Sequence, residues 1–412
     1  MDVIYERCCG LDIHKRSVVA CLIMPGPEGM PHKEMRTFGA MTDDLLALAD
    51  WLGENGVTHV AMESTGVYWQ PIYNLLEGSF ALVLVNARHI KTVPGRKTDV
   101  RDCEWLADLL RHGLLQASFV PDRPQRELRE LTRYRTSLIR ERAAEVNRLQ
   151  KTLEGANIKL ASVATDVMGT SGRAMLAALV AGTTDARTLA ELAKGRLREK
   201  LPDLARALRG QMAAHQRFLL AQQLAQIDFL EATIDRVSAE IGERLRPFEE
   251  AISRLDTIPG VGRRVAEVLL TEIGTDMTRF PSAAHLASWA GMGPGNNESA
   301  GKRKSGRTRK GSPWLRAALV EAAQAAGRTR QTYLGAQYRR LAARRGTKRA
   351  VVAVGHSILV IAYHLLRRGS CYDDLGPHYF AERDRQAVQR RLVRRLQQLG
   401  LKVTVEPVTP AA

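Results

Sequence analysis

Paired metal-ligand cysteines are missing from this sequence. Its 412 residues hold five cysteines, Cys8, Cys9, Cys21, Cys103 and Cys371. None stands two residues from another, which excludes a zinc knuckle, and the odd count excludes a fully paired disulfide framework. Unpaired, mostly buried thiols in a reducing cytoplasm are the plain expectation. The N-terminus carries Asp2 and Glu6 and lacks an apolar signal core. The longest apolar run, Val351 to Leu366, is interrupted by His356 and His364. It falls short of the roughly 20 residues that span a bilayer, so a buried helix and no membrane partner are expected. Acidic residues are also scarce in one region. Between Gly301 and Ala350 there is one, Glu321, against fifteen Lys or Arg.

That local shortage carries most of the charge. The chain has a formal charge of +17 and a sequence pI near 10.0, and 301–350 supplies +14 of it (15 − 1). A solubility device would be spread over the whole surface, whereas a clustered excess is a footprint for a polyanion such as DNA or RNA.

The chain reads as four stretches. Residues 1–120 are α/β: "CCGLDI" and "SVVACLIM" form a hairpin across "HKR", "EMRTFGA" is a third strand, and a βαβα pattern follows. The intervening helix "TDDLLALADWLGENG" takes Thr42 as its cap, and "TDVRDCEWLADLLRHG" takes Thr98. Three antiparallel-capable strands followed by βαβα predict a mixed sheet with helices on its faces. Residues 121–250 are a helical arm. Leu128, Leu131, Leu138, Val146, Leu149 and Leu153 recur near heptad spacing, as in a coiled coil, and a second long helix covers about 211–246. Residues 251–370 are compact and helical, and 371–412 form a basic helical tail with a proline-containing end.

Three groups of residues carry chemistry. Asp12 lies in a strand, Glu63 at the end of another, and Asp99 and Asp102 share one face of a helix start. Four carboxylates at one end of a sheet can hold two Mg²⁺ roughly 3.5–4 Å apart and polarise both oxygens of a phosphodiester displacement. Each acid alone also reads as a surface charge, and Asp99 and Asp102 also suit a helix N-terminus. "LDTIPGVGRRVAEVLLTEIG" fits a helix-hairpin-helix, with Gly260 and Gly262 bringing backbone N–H groups, and Arg263 its cation, toward a phosphate. A purely structural helical hairpin fits the same residues. Finally, "GPGNNESAGKRKSGRTRKG" sets Ser299 among small and polar residues, followed by Lys302, Arg303, Lys304, Arg307, Arg309 and Lys310.

"GLDIHK", "ESTGVYWQPIYNLLE" and "GRKTDVRDCEWLADLL" resemble the amino-terminal domain of the DEDD insertion-sequence transposases, the bridge-RNA-guided recombinases. "FPSAAHLASWAGMGP" and "ESAGKRKSGRTRKGSPWLRAAL" resemble that family's carboxy-terminal transposase domain. The resemblance implies an RNase H-like, RuvC-like first domain with Asp12, Glu63, Asp99 and Asp102 as Mg²⁺ ligands. It also implies Ser299 as a nucleophile that forms a covalent phosphoserine, and a guide RNA pairing with donor and target DNA. Protomers would assemble as dimers and tetramers in the bacterial cytoplasm, at the nucleoid. The sequence departs from the family at Glu298, where a serine is common, and at Ala300, where a glycine is. The rival reading is a metal-only nuclease of the Holliday-junction-resolvase type with Ser299 passive.

Overall fold

The computed structural model describes residues 2–27, 30–64, 66–86, 102–295, 297–299, 302–306, 308 and 310–404. The chain forms two compact units, Met1–Arg123 and Pro124–Ala412.

The first unit is built on one mixed sheet. Strands β1 (Cys8–Ile13), β2 (Ser17–Pro25) and β3 (Pro31–Gly39) run antiparallel, β2 following β1 through the short turn at His14. Helix α1 (Thr42–Glu54) leads to β4 (His59–Glu63), then α2 (Trp69–Leu76), β5 (Ala81–Val85) and α3 (Asp102–Arg111). The sheet order is β3-β2-β1-β4-β5, with β4 parallel to both β1 and β5. This arrangement is compatible with the expected RNase H-like fold. Thr42 is the first helical residue rather than the cap: Met41 stands at the N-cap, and its N–H donates to Asp44 Oδ2 (3.4 Å). Thr98 lies outside the described residues.

Alternation along the strands sorts the two faces. Cys9, Leu11, Val60 and Met62 point to one face, where they bury Leu48, Trp51, Leu52 and Ile72 of α1 and α2. Cys8, Cys21 and Ala61 point to the other, against Cys103, Ala107 and Leu110 of α3. Cys8, Cys9, Cys21 and Cys103 are buried thiols outside any disulfide, and Cys371 is exposed. Burial pushes Cys8 up to about 11 and Cys21 up to about 12, and Cys9 also lies well above the ordinary thiol range.

In the second unit, α4 (Arg123–Gly155) leaves as a 33-residue helix. A small helical module follows, including α5 (Thr170–Val180), and the 32-residue α6 (Ala214–Leu245) returns. The two long helices run antiparallel. Leu138 packs on Leu230 and Ile234, Thr152 donates to Gln223 (3.1 Å), and Arg244 reaches Glu127 (3.1 Å). The heptad-like leucines of α4 therefore find partners within their own chain. At the far end Leu149 and Leu153 join the module's core with Leu176, Leu204 and Leu220.

The chain then builds α7 (Glu249–Asp256), α8 (Arg263–Ile273), α9 (Ala283–Trp289), α10 (Pro313–Arg328), α11 (Tyr333–Arg345) and α12 (Thr347–Arg368). Helix α12 is longer than the apolar run that prompted it. At 22 residues it meets the length and composition of a membrane span, and half of its apolar window is buried inside the unit. The buried part includes Val354, Ile358, Leu359 and Tyr363, whose hydroxyl donates to the Phe280 carbonyl (3.1 Å). Beyond it, Tyr372 N–H donates to Thr257 Oγ1 (3.0 Å) and Asp374 accepts from Tyr333 N–H (2.9 Å). The start of the expected tail is thus tied to the helical body before the mostly exposed α13 (Arg385–Gln398).

Candidate functional site

The carboxylates are positioned by strand register. Strands β1 and β4 are parallel and paired from Cys8–His59 to Leu11–Met62. One step further along each strand stand Asp12 and Glu63, at the carboxyl ends of adjacent central strands. Both share the parity of Cys8 and Ala61, so both belong to the face covered by α3. Asp102 opens α3 on that same face. The helix lies hard against β1: a Cβ on Gly10 would sit 2.2 Å from the Cys103 carbonyl oxygen and 2.5 Å from the Ala107 nitrogen. Only a glycine allows so close a crossing, and that crossing brings the start of α3 to the end of the strand that carries Asp12. Asp99 lies outside the described residues.

A further neighbour was not foreseen from the sequence. His14 Nε2 is 3.2 Å from Asp12 Oδ2, with Asp12 about one-third exposed. Among the described residues, no three His, Cys, Asp or Glu side chains gather closely enough to hold a metal. The donors present are nevertheless all carboxylate oxygens at one sheet end, the hard ligands that divalent Mg²⁺ takes. Their chemical kind suits the ion, while the described side chains do not converge on one point.

The serine segment belongs to the second unit and is not the plain loop that its composition suggests. Asn297–Ser299 form β6 and Lys302–Ser305 form β7, an antiparallel ribbon in which Ser299 ends one strand opposite Lys302, the start of the next. The register shifts between Asn297 and Glu298. Such irregularities locally re-aim a strand. Arg307 and Arg309 lie outside the described residues, and Lys310 is exposed.

The base of this segment is pinned. Gly311 abuts the end of α9, where a Cβ would sit 2.2 Å from the Ala290 carbonyl oxygen. Arg316 donates to the Gly291 carbonyl (3.0 Å) and to Thr308 Oγ1 (2.9 Å). Ser312 caps α10 by accepting from Leu315 N–H (3.3 Å), and its hydroxyl donates to Glu272 Oε2 (3.1 Å). Glu272, 1% exposed, also takes both nitrogens of the Arg133 fork at 2.7 and 3.0 Å. One wall of the pin is therefore the long arm helix α4. The sequence reading did not single out Gly311, Arg316 or Glu272. The Ser-Pro start of α10 was the available signal.

The glycine turn between α7 and α8 divides its duties. Gly260 has φ +88° and faces the α10 backbone, where a Cβ would sit 2.3 Å from the Ala322 carbonyl oxygen. Its missing side chain serves helix packing. Gly262 has open space around it. Arg263 is engaged by Glu249 at 2.6 and 2.8 Å and by Glu267 at 3.1 Å. Those carboxylates raise its already high pKa, and the Arg263 guanidinium in turn holds Glu249 below the usual range.

A mixed sheet with acids near the ends of two central strands, joined in one chain to a cation-rich helical body, is compatible with a nucleic-acid-processing enzyme. Comparison with known families makes this specific. Residues 9–158 match a family described as "Transposase", and residues 252–339 match "Transposase IS116/IS110/IS902 family". The chain belongs to this family and is a DNA transposase, an enzyme that cuts and rejoins DNA. It is 26% identical over 320 residues to the "Probable family 20 transposase" of Pseudomonas aeruginosa, covering 76% of this chain and 85% of that one. A second relative, the "Insertion element IS110 uncharacterized 43.6 kDa protein" of Streptomyces coelicolor, is 30% identical over 46% of this chain and 49% of its own length. The "Pilin gene-inverting protein" of Moraxella bovis is 27% identical over 40% of this chain and 58% of its own length.

Proposed function

We propose that this transposase breaks DNA by attack of Ser299 on a phosphodiester. The Oγ–P bond forms as one P–O ester bond breaks, and the leaving sugar oxygen takes up a proton. Attack by a hydroxyl of another strand reverses the step, restores a phosphodiester and frees the serine. The bond energy is retained throughout, which attack by water would forfeit. The observation that carries this reading is the ribbon itself: Ser299 closes β6 opposite Lys302, on a segment pinned at Gly311 and Ser312. A fixed base limits the positions that the hydroxyl explores, and positioning is a large share of catalysis. Lys302, Arg303, Lys304, Arg307, Arg309 and Lys310 would meet the phosphates around the cut and offset charge in the transition state.

Asp12, Glu63, Asp102 and Asp99 would hold Mg²⁺, which supplies charge neutralisation at the phosphate and at the attacking and leaving oxygens. The matching ends of β1 and β4 support this grouping. The first domain is read as RuvC-like. Because the serine and the carboxylates belong to separate units, a composite site between protomers of a dimer or tetramer is part of the reading. A bridge RNA pairing with donor and target DNA supplies the sequence choice, with the protein reading shape, phosphates and 2′-hydroxyls. Of the glycine turn, Gly262 is the position left open for a phosphate. The enzyme is placed at the bacterial nucleoid, where its substrate lies.

The test is to trap the reaction on nicked suicide DNA and map the adduct by mass spectrometry. The expected adduct is on Ser299, lost in Ser299→Ala. In Asp12→Ala cleavage is lost while the protein remains folded. Cleavage that survives Ser299→Ala without any adduct establishes the metal-only nuclease instead. Recombination that survives exhaustive ribonuclease treatment removes the guide RNA.

A further inference from the structure

A groove of about 170 Å³ opens between α4, α8 and α10, all within the second unit. Its floor is apolar, formed by Ile139, Val265 and Ala318. Its rim carries an aromatic face and two cations. The Arg140 guanidinium lies 5.0 Å from the Trp314 ring centroid, and Arg264 stands across from it on α8. Both arginines are exposed, and neither has a carboxylate partner among the described residues, unlike Arg263 next door with its two. Glu321 completes the rim as a single acceptor. Beneath the floor, the buried Arg135 and Glu267 approach to 2.7 Å and hold α4 to α8, so the walls are fixed to each other.

We infer that this groove receives one unpaired nucleotide of the DNA strand being exchanged, with its base stacked on Trp314 and its flanking phosphates on Arg140 and Arg264. The inference rests on the reading of the chain as a DNA-cutting enzyme, and not on which residue attacks. Three observations carry it. The volume suits one base rather than a duplex. Trp314 carries Arg140 over one face and leaves its other face for a base, and this ring with two guanidiniums that lack carboxylate partners is a combination that grips single strands, because every base offers a π-face and every link a charge. Glu321 disfavours a bare phosphate in the slot, yet accepts a hydrogen bond from an exocyclic amine. The slot therefore favours the amine-bearing bases adenine, cytosine and guanine over thymine. Its place in the chain is apt, since Trp314 is the second residue of the helix that follows the basic segment. Strand exchange leaves nucleotides unpaired, and an unpaired nucleotide held here is kept from re-pairing.

The test is equilibrium binding of the full-length protein to short fluorescent oligonucleotides at fixed salt. Single-stranded DNA, the same sequence as duplex, and the same sequence as RNA are compared. Trp314→Leu is expected to weaken single-stranded DNA binding about tenfold, the usual size of one lost base stack, and to leave duplex binding unchanged. Arg264→Gln, at an exposed position, is expected to lower the single-strand salt slope by about one. Glu321→Leu, which removes the acceptor, is expected to abolish the preference for adenine over thymine at the central position. Equal losses for duplex and single strand, or no loss in either variant, overturn the proposal. A tenfold loss confined to the RNA oligonucleotide overturns the assignment to DNA. If Trp314→Leu fails to fold by circular dichroism, Arg264→Gln decides alone. None of these measurements needs Ser299, so they can fail while the serine mechanism stands, and the reverse.

Discussion

Gly10 of the first strand and Cys103 of the third helix touch through their backbones: a Cβ on Gly10 would lie 2.2 Å from the Cys103 carbonyl oxygen. Helix α3 thus rests directly on β1, and this contact sets where Asp102 stands relative to Asp12. Gly10→Ala is expected to destabilise the protein by about 1–3 kcal/mol, the usual cost of overpacking. It should also reduce strand cleavage by more than that stability loss explains. Thermal denaturation beside a cleavage assay checks both parts, and full activity in a folded Gly10→Ala protein would show that the α3 position is unimportant.

A second backbone contact closes the base of the serine ribbon. Gly311 has no room for a Cβ beside Ala290 and Gly291. Gly311→Ala should leave the first unit intact and cost about 1–3 kcal/mol in the second. Adduct formation on suicide DNA is expected to slow markedly, with overall DNA affinity little changed. An unaltered adduct rate would mean that the ribbon holds its own shape without the pin.

The arm and the helical body share a buried charge pair. Arg135 and Glu267 have side chains 3% and 6% exposed and approach to 2.7 Å. The Glu267 oxygen facing Arg135 has no well-aligned hydrogen bond, so the contact is one of charge. Removing one partner strands the other, at a cost of about 3–5 kcal/mol. Arg135→Met alone is therefore expected to be severely destabilising. Arg135→Met combined with Glu267→Leu should regain most of the loss. Denaturant titration of the wild type, both single variants and the double variant measures the coupling. Additive losses would deny the pairing.

Thiol chemistry gives a direct check of the first unit's packing. Burial holds Cys8 and Cys21 at about 11 and about 12, far above neutral pH, so neither offers a thiolate. Cys371 is exposed. Brief alkylation of the native protein at neutral pH is expected to label Cys371 alone, and all five cysteines after denaturation. Rapid native labelling of Cys8, Cys21 or Cys103 would contradict the packing of α3 on the sheet, and labelling of Cys9 that of α1 and α2.

Much of this was legible before any coordinates. The short β-rich runs "CCGLDI" and "SVVACLIM" joined by the polar "HKR" are a local signal, and they located the central hairpin. Asp12 and Glu63 could be grouped because each lies on a strand, Glu63 at its end. Contacts between distant segments were not legible. The packing of Gly260 on Ala322 joins positions far apart in the chain, so its glycine read equally well as a phosphate contact. Arg263 looked like a free cation because Glu249 lies fourteen residues away, beyond the reach of a local pattern. The ribbon at Ser299 was hidden for another reason: asparagine, glutamate and lysine are poor strand formers, and the pairing of β6 with β7 overrides that preference.

The module at the tip of the arm leaves and re-enters at one point. Gln211 N–H donates to the Ala156 carbonyl (3.0 Å), Lys159 N–H to the Ala207 carbonyl (2.8 Å), and Gly210 is packed against Ala156. Everything between those residues behaves as a cassette on a hinge of fixed width. Its core takes in Leu149, Leu153, Leu220 and Ile227 of the stems, and the rest closes within the module, so its outer length can change while the antiparallel stems below keep their register. Both family matches fall outside most of this interval, the first ending at residue 158 and the second starting at 252. The architecture permits that tolerance: lineages can exchange what the arm carries without redesigning either end of the enzyme.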